Sequence, residues 1–418
     1  MPEKNKQIVI IGAGPVGLEA ALYARAIGYD VQVLEKRDVA NHIRQWAHVR
    51  LFSSFSMNHT ALGKKLLAEN GVALPGDDEY LSGGEFVERY LAPLAKSDAL
   101  RGSIVTNCEV LAISREHTLK GDHIGDGERK KQPFRILTRD ADGREKFYFA
   151  DVVIDASGTY GNPNWLGDGG IPALGELANR SRIVYHLEDL SGGAGDKCIG
   201  KTTLLIGDGQ SAGTTVQSFE KLLEASPDTR LIWLTRLDKA EPLIEIPDDP
   251  LPGRKTVARD ANRLTRHPRV RWIKNAAVQA IEFDEKSATF SVQITGPAGT
   301  ELLTVNRIIA NVGCGPDNSI YRELQVHECY ASRGPMKLSA ALLAEASSAA
   351  DCLTQTGKGP DTLKNPEPDF YILGMKSYGR NANFLMKIGF EQIRDAFKLI
   401  TGDPNLDLYH SPTGEPAG

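Results

Sequence analysis

No stretch of the 418-residue chain is long and apolar enough to span a bilayer, so no membrane-embedded segment is expected. The chain also lacks the C-x-x-C spacing of a metal clip or redox dithiol. Its five cysteines, Cys108, Cys198, Cys314, Cys329 and Cys352, are scattered, the nearest two fifteen residues apart. An odd, scattered set suits reduced thiols, and a cytoplasmic location is expected. There is no charge excess to recruit a polyanion: 49 basic residues face 54 acidic ones, for a net charge of −5. Nucleic acid and membrane surfaces are therefore not expected partners. The basic run ERKKQPFR is short and reads as a solvated hairpin. Near the start, EKNKQ precedes an apolar run, as in a secretion signal. Gly12, Gly14 and Pro15 interrupt that run, which continues with helical spacing, so it reads as a first strand.

What is present begins with that strand. QIVIIG is a continuous β-branched run, the pattern of a strand buried on both faces of a parallel sheet. Gly12, Gly14 and Gly17 then form G-x-G-x-x-G, with Pro15 and Val16 inside it. LEAALYARA follows with helical spacing and Gly28 caps it. DVQVLEKR gives a second strand with Glu35 and Lys36 at its end, Glu35 standing 23 residues after Gly12. Each position has a physical task. Gly12 allows the tight turn, Gly14 lets backbone approach a pyrophosphate, and Gly17 lets helix and strand pack closely. The helix N-terminus supplies amides and a positive dipole end, and Glu35 can accept from a ribose diol.

A second unit of this kind lies in mid-chain. KTTLLIG reads as a buried strand, and Gly207, Gly209 and Ala212 repeat the turn, with Ser211 between. SAGTTVQSFEKLLEA reads as its helix and TRLIWLT as the next strand, ending at Thr235-Arg236. An acid such as Glu35 suits a free 2′-hydroxyl, whereas a guanidinium such as Arg236 suits a 2′-phosphate. NADPH is therefore expected at the second turn. Asp238 stands nearby and could serve a ribose hydroxyl.

Three further stretches carry a resemblance. DVVIDASGTYGNP at 151–163, with Ala156, Ser157 and Gly158, is similar to the second flavin signature of flavoproteins with two dinucleotide-binding domains. RIIANVGCGPDN at 307–318 looks like their return strand. DFYILGMKSYGRNANFLMKIGFEQIRDAFKLI at 369–400 looks like their closing strand and helix, with Asn383 and Phe384 ahead of the helix. The usual Gly-Asp of the closing strand reads Gly374-Met375. Together these features resemble the flavin-dependent, class B-like monooxygenases.

The resemblance implies an α/β fold of two Rossmann-like three-layer domains. An NAD(P)-binding domain, residues 166–310, would be inserted in a split FAD-binding domain, residues 1–165 and 311–410, with a disordered tail at 411–418. It implies FAD and NADPH as cofactors, dioxygen and a small soft nucleophile as substrates, and a flavin hydroperoxide as oxygen donor. In IRQWAHVRLFSSFSMN, residues 43–58, Trp46 would pack along the isoalloxazine. Asn58 would hydrogen-bond the peroxide or the nicotinamide, although Asn is equally a favoured helix N-cap for HTALGKKLLAEN. Arg44, Arg50 and Lys376 are basic candidates for steadying a peroxide anion.

The F-x-G-x-x-x-H element of those families is absent; ANRSRIVYHLEDL offers only His186, readable as a linker or core histidine. Two alternatives stay open: an NADPH-driven reductase of an electron carrier, and a flavoprotein that senses redox state without catalysis. The segment 245–264 reads either as a mobile cover over the site or as a surface excursion. Substrate identity and self-association are not legible.

Overall fold

A computed structural model describes residues 6–345 and 356–410; Cys352 and the tail 411–418 lie outside the described residues. The β-branched run forms β1 (Gln7–Ile11), its last four residues fully or nearly buried. The helix Pro15–Ala26 follows, with proline in its first turn and Gly28, at φ +85°, just past its end. β2 (Asp30–Leu34) lies parallel to β1 in register. A helix over Ala61–Glu69 comes next. Its N-cap is Thr60, which accepts from Gly63 N at 2.9 Å, and Asn58 lies two residues ahead of it. β3 (Ile104–Val105) extends the parallel sheet. β4 (Cys108–Arg115), β5 (Phe134–Asp140) and β6 (Glu145–Ala150) form an antiparallel meander, and β7 (Val152–Asp155) returns parallel to β1.

The same plan is then repeated. β8 (Thr202–Ile206) leads into the helix Gln210–Ala225, and β9 (Arg230–Leu234) lies parallel to β8. β10 (Val270–Ile273) extends this sheet. β11 (Ala277–Asp284), β12 (Thr289–Gly296) and β13 (Gly299–Val305) form a second meander, and β14 (Arg307–Ala310) returns parallel to β8. The strand order is β10-β9-β8-β14. β15 (Phe370–Ile372) pairs with β7, giving a first sheet of order β15-β7-β1-β2-β3, and the helix Met386–Thr401 follows. Continuous apolar strands with a helix after the first strand of each sheet make both folds Rossmann-like α/β.

The chain divides into two units. One holds the residues up to Arg44, Ser53–Asn162 and the chain from Gly315 onward; the other holds Gln45–Phe52 and Pro163–Cys314. The first buries Val9, Ile11, Val153 and Ile372 against Phe134 and Ile136 of its meander. The second buries Leu204, Ile206 and Ile308 against Val292 and Ile294 of its own.

Three expectations change here. The run ERKKQPFR is not simply solvated, because Arg129 is fully buried. Its Nε donates to Glu367 Oε2 at 3.0 Å, and Arg115 Nε donates to Glu367 Oε1 at 2.9 Å. A buried guanidinium needs such a partner, and this one comes from far along the chain. The segment 245–264 is largely a helix, Pro252–Leu264, burying Val257, Ala258, Ala261 and Leu264; proline stands in its first turn rather than breaking it. His186 is exposed and not a core residue.

Candidate functional site

In the first unit, Gly12 N donates to Leu34 O at 2.8 Å, so the turn continues the sheet before reversing. At Gly12 (φ +98°) a side chain would meet the Ala156 carbonyl oxygen at 2.8 Å, and a Cβ on Gly17 would overlap the Gly12 carbonyl. Gly14 is different. It N-caps the helix Pro15–Ala26 without any side-chain cap, and a Cβ there would meet nothing within 4 Å. The protein therefore leaves a cradle of open space beside uncapped helix amides, the feature that binds a phosphate. Glu35 stands at its rim: Oε2 accepts from Ala13 N at 2.8 Å and Oε1 from Arg37 N at 2.9 Å. Each carboxylate oxygen keeps a further lone pair for a diol.

The helix Met386–Thr401 also starts without a side-chain cap, at Leu385. A Cβ on its Gly389 would lie 2.7 Å from Val16 Cγ2 and 3.0 Å from Phe384 Cζ. Close approach at glycine thus brings its first turn against the first turn of the helix Pro15–Ala26, and two positive helix ends converge. Phe384 packs edge-on against Tyr378 with centroids 5.2 Å apart, and Asn383 is exposed beside it.

One buried group in this unit differs from its sequence assignment. Lys376 is 2% exposed; its Nζ donates to Asp155 Oδ2 at 2.6 Å and to Ser157 Oγ at 3.2 Å. Asp155 Oδ1 also accepts from Ser157 N and Oγ, at 3.1 and 2.7 Å. The lysine thereby pins the Ala156–Gly158 turn, where Gly158 has φ +70°, to the turn after β15. A buried, paired ammonium positions these turns rather than meeting an oxygen anion.

The second unit repeats the geometry. A Cβ on Gly207 would overlap the Asn311 carbonyl oxygen, as Gly12 abuts Ala156. Gly209 N-caps the helix Gln210–Ala225 uncapped and with open space beside it, Ala212 is fully buried, and Ser211 is exposed. Past β9, Thr235 is buried and Arg236 is exposed, with no ion pair among the described residues. Asp238 is occupied by Lys274 at 2.7 Å, and Lys239 Nζ donates to Asp208 Oδ2 of the glycine turn at 2.9 Å. The ammonium groups of Lys239 and Lys274 had no signal in the sequence, since neither belongs to a spaced motif.

The remaining expected site residues, Trp46 apart, are exposed or engaged within their own segments. Lys36 is exposed and paired with Glu109 at 2.6 Å. Trp46, half-buried, groups with the second unit, whereas Asn58 belongs to the first. Asn58 is 2% exposed and fully engaged: Nδ2 donates to Ser54 O at 2.9 Å and Ser53 O at 3.2 Å, and Oδ1 accepts from Ser53 Oγ at 3.0 Å. Both amide protons hold its own turn, which leaves none for a peroxide. Arg44 is exposed, its Nε donating to Val39 O at 3.1 Å, and Arg50 is exposed. The residues present thus fit FAD at the first turn, with open cradle, Glu35 and two helix ends, and NADP(H) at the second, with open cradle and Arg236.

A family model described as pyridine nucleotide-disulphide oxidoreductase matches residues 9–212. No curated protein matches the chain. Among solved structures, a bacillithiol disulfide reductase from Bacillus cereus is similar, with TM-score 0.69, 18% identity, and 96% of this chain and 100% of that one covered. A cadaverine monooxygenase from Erwinia amylovora, bound to FAD, is similar with TM-score 0.65, 12% identity, and 100% and 99% covered. An ornithine N-hydroxylase from Kutzneria sp. 744, with reduced FAD and NADP+, has TM-score 0.62, 14% identity, and 96% and 99% covered. The chain has the fold of the flavoproteins with two dinucleotide-binding domains, and class B-like N-hydroxylating monooxygenases are among the proteins that share it.

Proposed function

We propose that this chain is an FAD-dependent NADPH oxidoreductase and, more finely, a monooxygenase acting on a small soft nucleophile. FAD, when bound, accepts hydride from NADPH and passes its electrons to dioxygen; the protein's own residues bind and orient. Gly14 and the helix amides behind it would hold the pyrophosphate, Glu35 would accept from the adenosine ribose, and the helix end at Leu385 would favour negative charge on the bound group. Gly209 and Arg236 receive NADPH. Lys376 and Asp155 hold the Ala156–Gly158 turn at its distance from Gly12.

The observation that favours oxygen transfer over disulfide reduction is the cysteine pattern. A disulfide reductase working through a local dithiol needs two neighbouring thiols, and no C-x-x-C exists in the chain. None of the four described cysteines is in a disulfide. Burial also pushes the Cys314 thiol up to about 11, away from the thiolate a redox cysteine needs, whereas the Ser332 hydroxyl beside Cys329 holds that thiol below its usual range.

The purified protein is expected to be yellow, or to become so with FAD, and to bleach anaerobically with NADPH. On admitting oxygen, an absorbance transient should precede reoxidation. A colourless protein that takes up no FAD would sink the cofactor reading. Rapid turnover with artificial acceptors, and reoxidation without a transient, would replace the monooxygenase with a carrier reductase.

A further inference from the structure

In the first unit, the chain after β14 lines an open cavity of about 380 Å3 with Lys120, Asp317, Tyr321, Arg322, Glu328 and Arg333 among others. Two of its charges are unusual. Glu328 is half-buried, and its carboxylate has no hydrogen bond or ion pair among the described residues. Arg333 is also half-buried; its guanidinium donates to the Pro316 carbonyl at 2.6 Å and makes no ion pair among the described residues. Opposite charges that share one partly desolvated cavity without pairing each forgo the compensation that normally accompanies burial. Asn318, also on the lining, leaves Oδ1 buried and without a donor.

The backbone is strained to hold this arrangement. Arg333 has φ +61°, a left-handed conformation rare for a non-glycine residue outside Asn, Asp and His. It is fixed there by Arg333 N to Cys329 O at 2.7 Å, Cys329 N to Gly334 O at 2.9 Å and Asn318 Nδ2 to Arg333 O at 3.1 Å. A Cβ on Gly379 would overlap the Ser332 carbonyl oxygen, so the loop is wedged against the turn that carries Lys376. The buried Tyr321 ring on the lining has Lys376 Nζ 5.2 Å from its centroid. Leu324 and Val326 add an apolar stretch to the lining.

We infer that this cavity binds a small zwitterion, an organic molecule with an ammonium at one end and a carboxylate at the other. Arg333 takes the carboxylate as a two-pronged, charge-assisted partner. Glu328 and Asn318 Oδ1 take the ammonium, and Leu324 and Val326 cover the aliphatic stem. This site is independent of the flavin reading, since occupancy is read as heat and not as turnover.

The test is calorimetric titration of the full chain with three probes of one length: 6-aminohexanoate, hexanoate and hexylamine. The two-ended probe is expected to bind about tenfold or more tightly than either one-ended probe, the worth of one charge-assisted bond. Arg333→Gly suits the positive φ, so its unfolding temperature should stay at or above wild type. It should weaken 6-aminohexanoate and hexanoate by about tenfold or more while leaving hexylamine unchanged. Glu328→Gln should do the converse. Equal affinities for the three probes, no heat with any of them, or affinities unmoved by both substitutions would each overturn the site.

Discussion

At the end of β9 an exposed guanidinium stands with no ion pair among the described residues, while the acid two residues on is held by Lys274. That division favours phosphate over hydroxyl recognition. Arg236→Ala is expected to lower kcat/KM for NADPH by about tenfold to a hundredfold, the worth of a charge-assisted hydrogen bond, and to leave NADH nearly unchanged. A wild type without NADPH preference would remove the assignment. Lys376 poses a different question. Removing one member of a buried ion pair strands the other, so Lys376→Met should cost about 3–5 kcal/mol in urea unfolding. Lys376→Met with Asp155→Asn should recover more than half of it, because the Asn keeps polar atoms for Ser157. Asn58→Ala should cost about 1–3 kcal/mol of stability, yet leave the fate of reducing equivalents, oxygenated product against peroxide, unchanged. A change in that partition at intact stability would return Asn58 to the reaction.

The glycine-turn elements make a sharper prediction, because the two glycines that differ most are three residues apart. A Cβ on Gly17 would strike the Gly12 carbonyl, whereas one on Gly14 would meet nothing within 4 Å. Gly14→Ala should therefore fold with a urea midpoint close to wild type and lose FAD affinity, if the proposed pyrophosphate fills that space. Gly209→Ala should do the same for NADPH and spare FAD. Retained cofactor in either variant would show that the cradle is not where phosphate sits. These elements were legible because their signals are local: β-branched runs, glycine spacing and an acid or base at the next strand end. What escaped was long-range. Nothing near Arg129 or Lys376 names Glu367 or Asp155, which lie 238 and 221 residues away. The segment 245–264 did not read as a helix because a proline in a helix's first turn and one in a loop read alike without the helix behind it. Thr60 took the cap expected of Asn58 because either residue type can accept from a helix amide, and only the chain path chooses.

Across the molecule, stability should carry the mark of one carboxyl that no motif uses. Glu19, on the helix Pro15–Ala26, is fully buried and makes no ion pair among the described residues. It accepts from Thr60 Oγ1 at 2.7 Å and from the Tyr90 hydroxyl, so it ties the cofactor helix to the cap of the helix Ala61–Glu69 and to the segment around Tyr90. A Cβ on Gly63 would lie 2.6 Å from Glu19 Oε1, so the helix Ala61–Glu69 needs a glycine there to admit the carboxyl. Burial pushes Glu19 up from 4.5 to about 7, against the pull of its two hydroxyl donors. The folded state thus holds this proton more tightly than the unfolded chain does. Between 4.5 and about 7 the native protein binds more protons than the unfolded one, so Glu19's contribution to stability falls as pH rises through that window and levels off above it. The span corresponds to about 3 kcal/mol. Glu19→Gln keeps an oxygen for Thr60 and never ionises. Urea midpoints of wild type should therefore decline relative to Glu19→Gln from pH 5 to pH 8, with the two closest at the acid end. Parallel profiles would mean that Glu19 is ionised in the folded protein throughout, and that its two hydroxyl donors outweigh its burial.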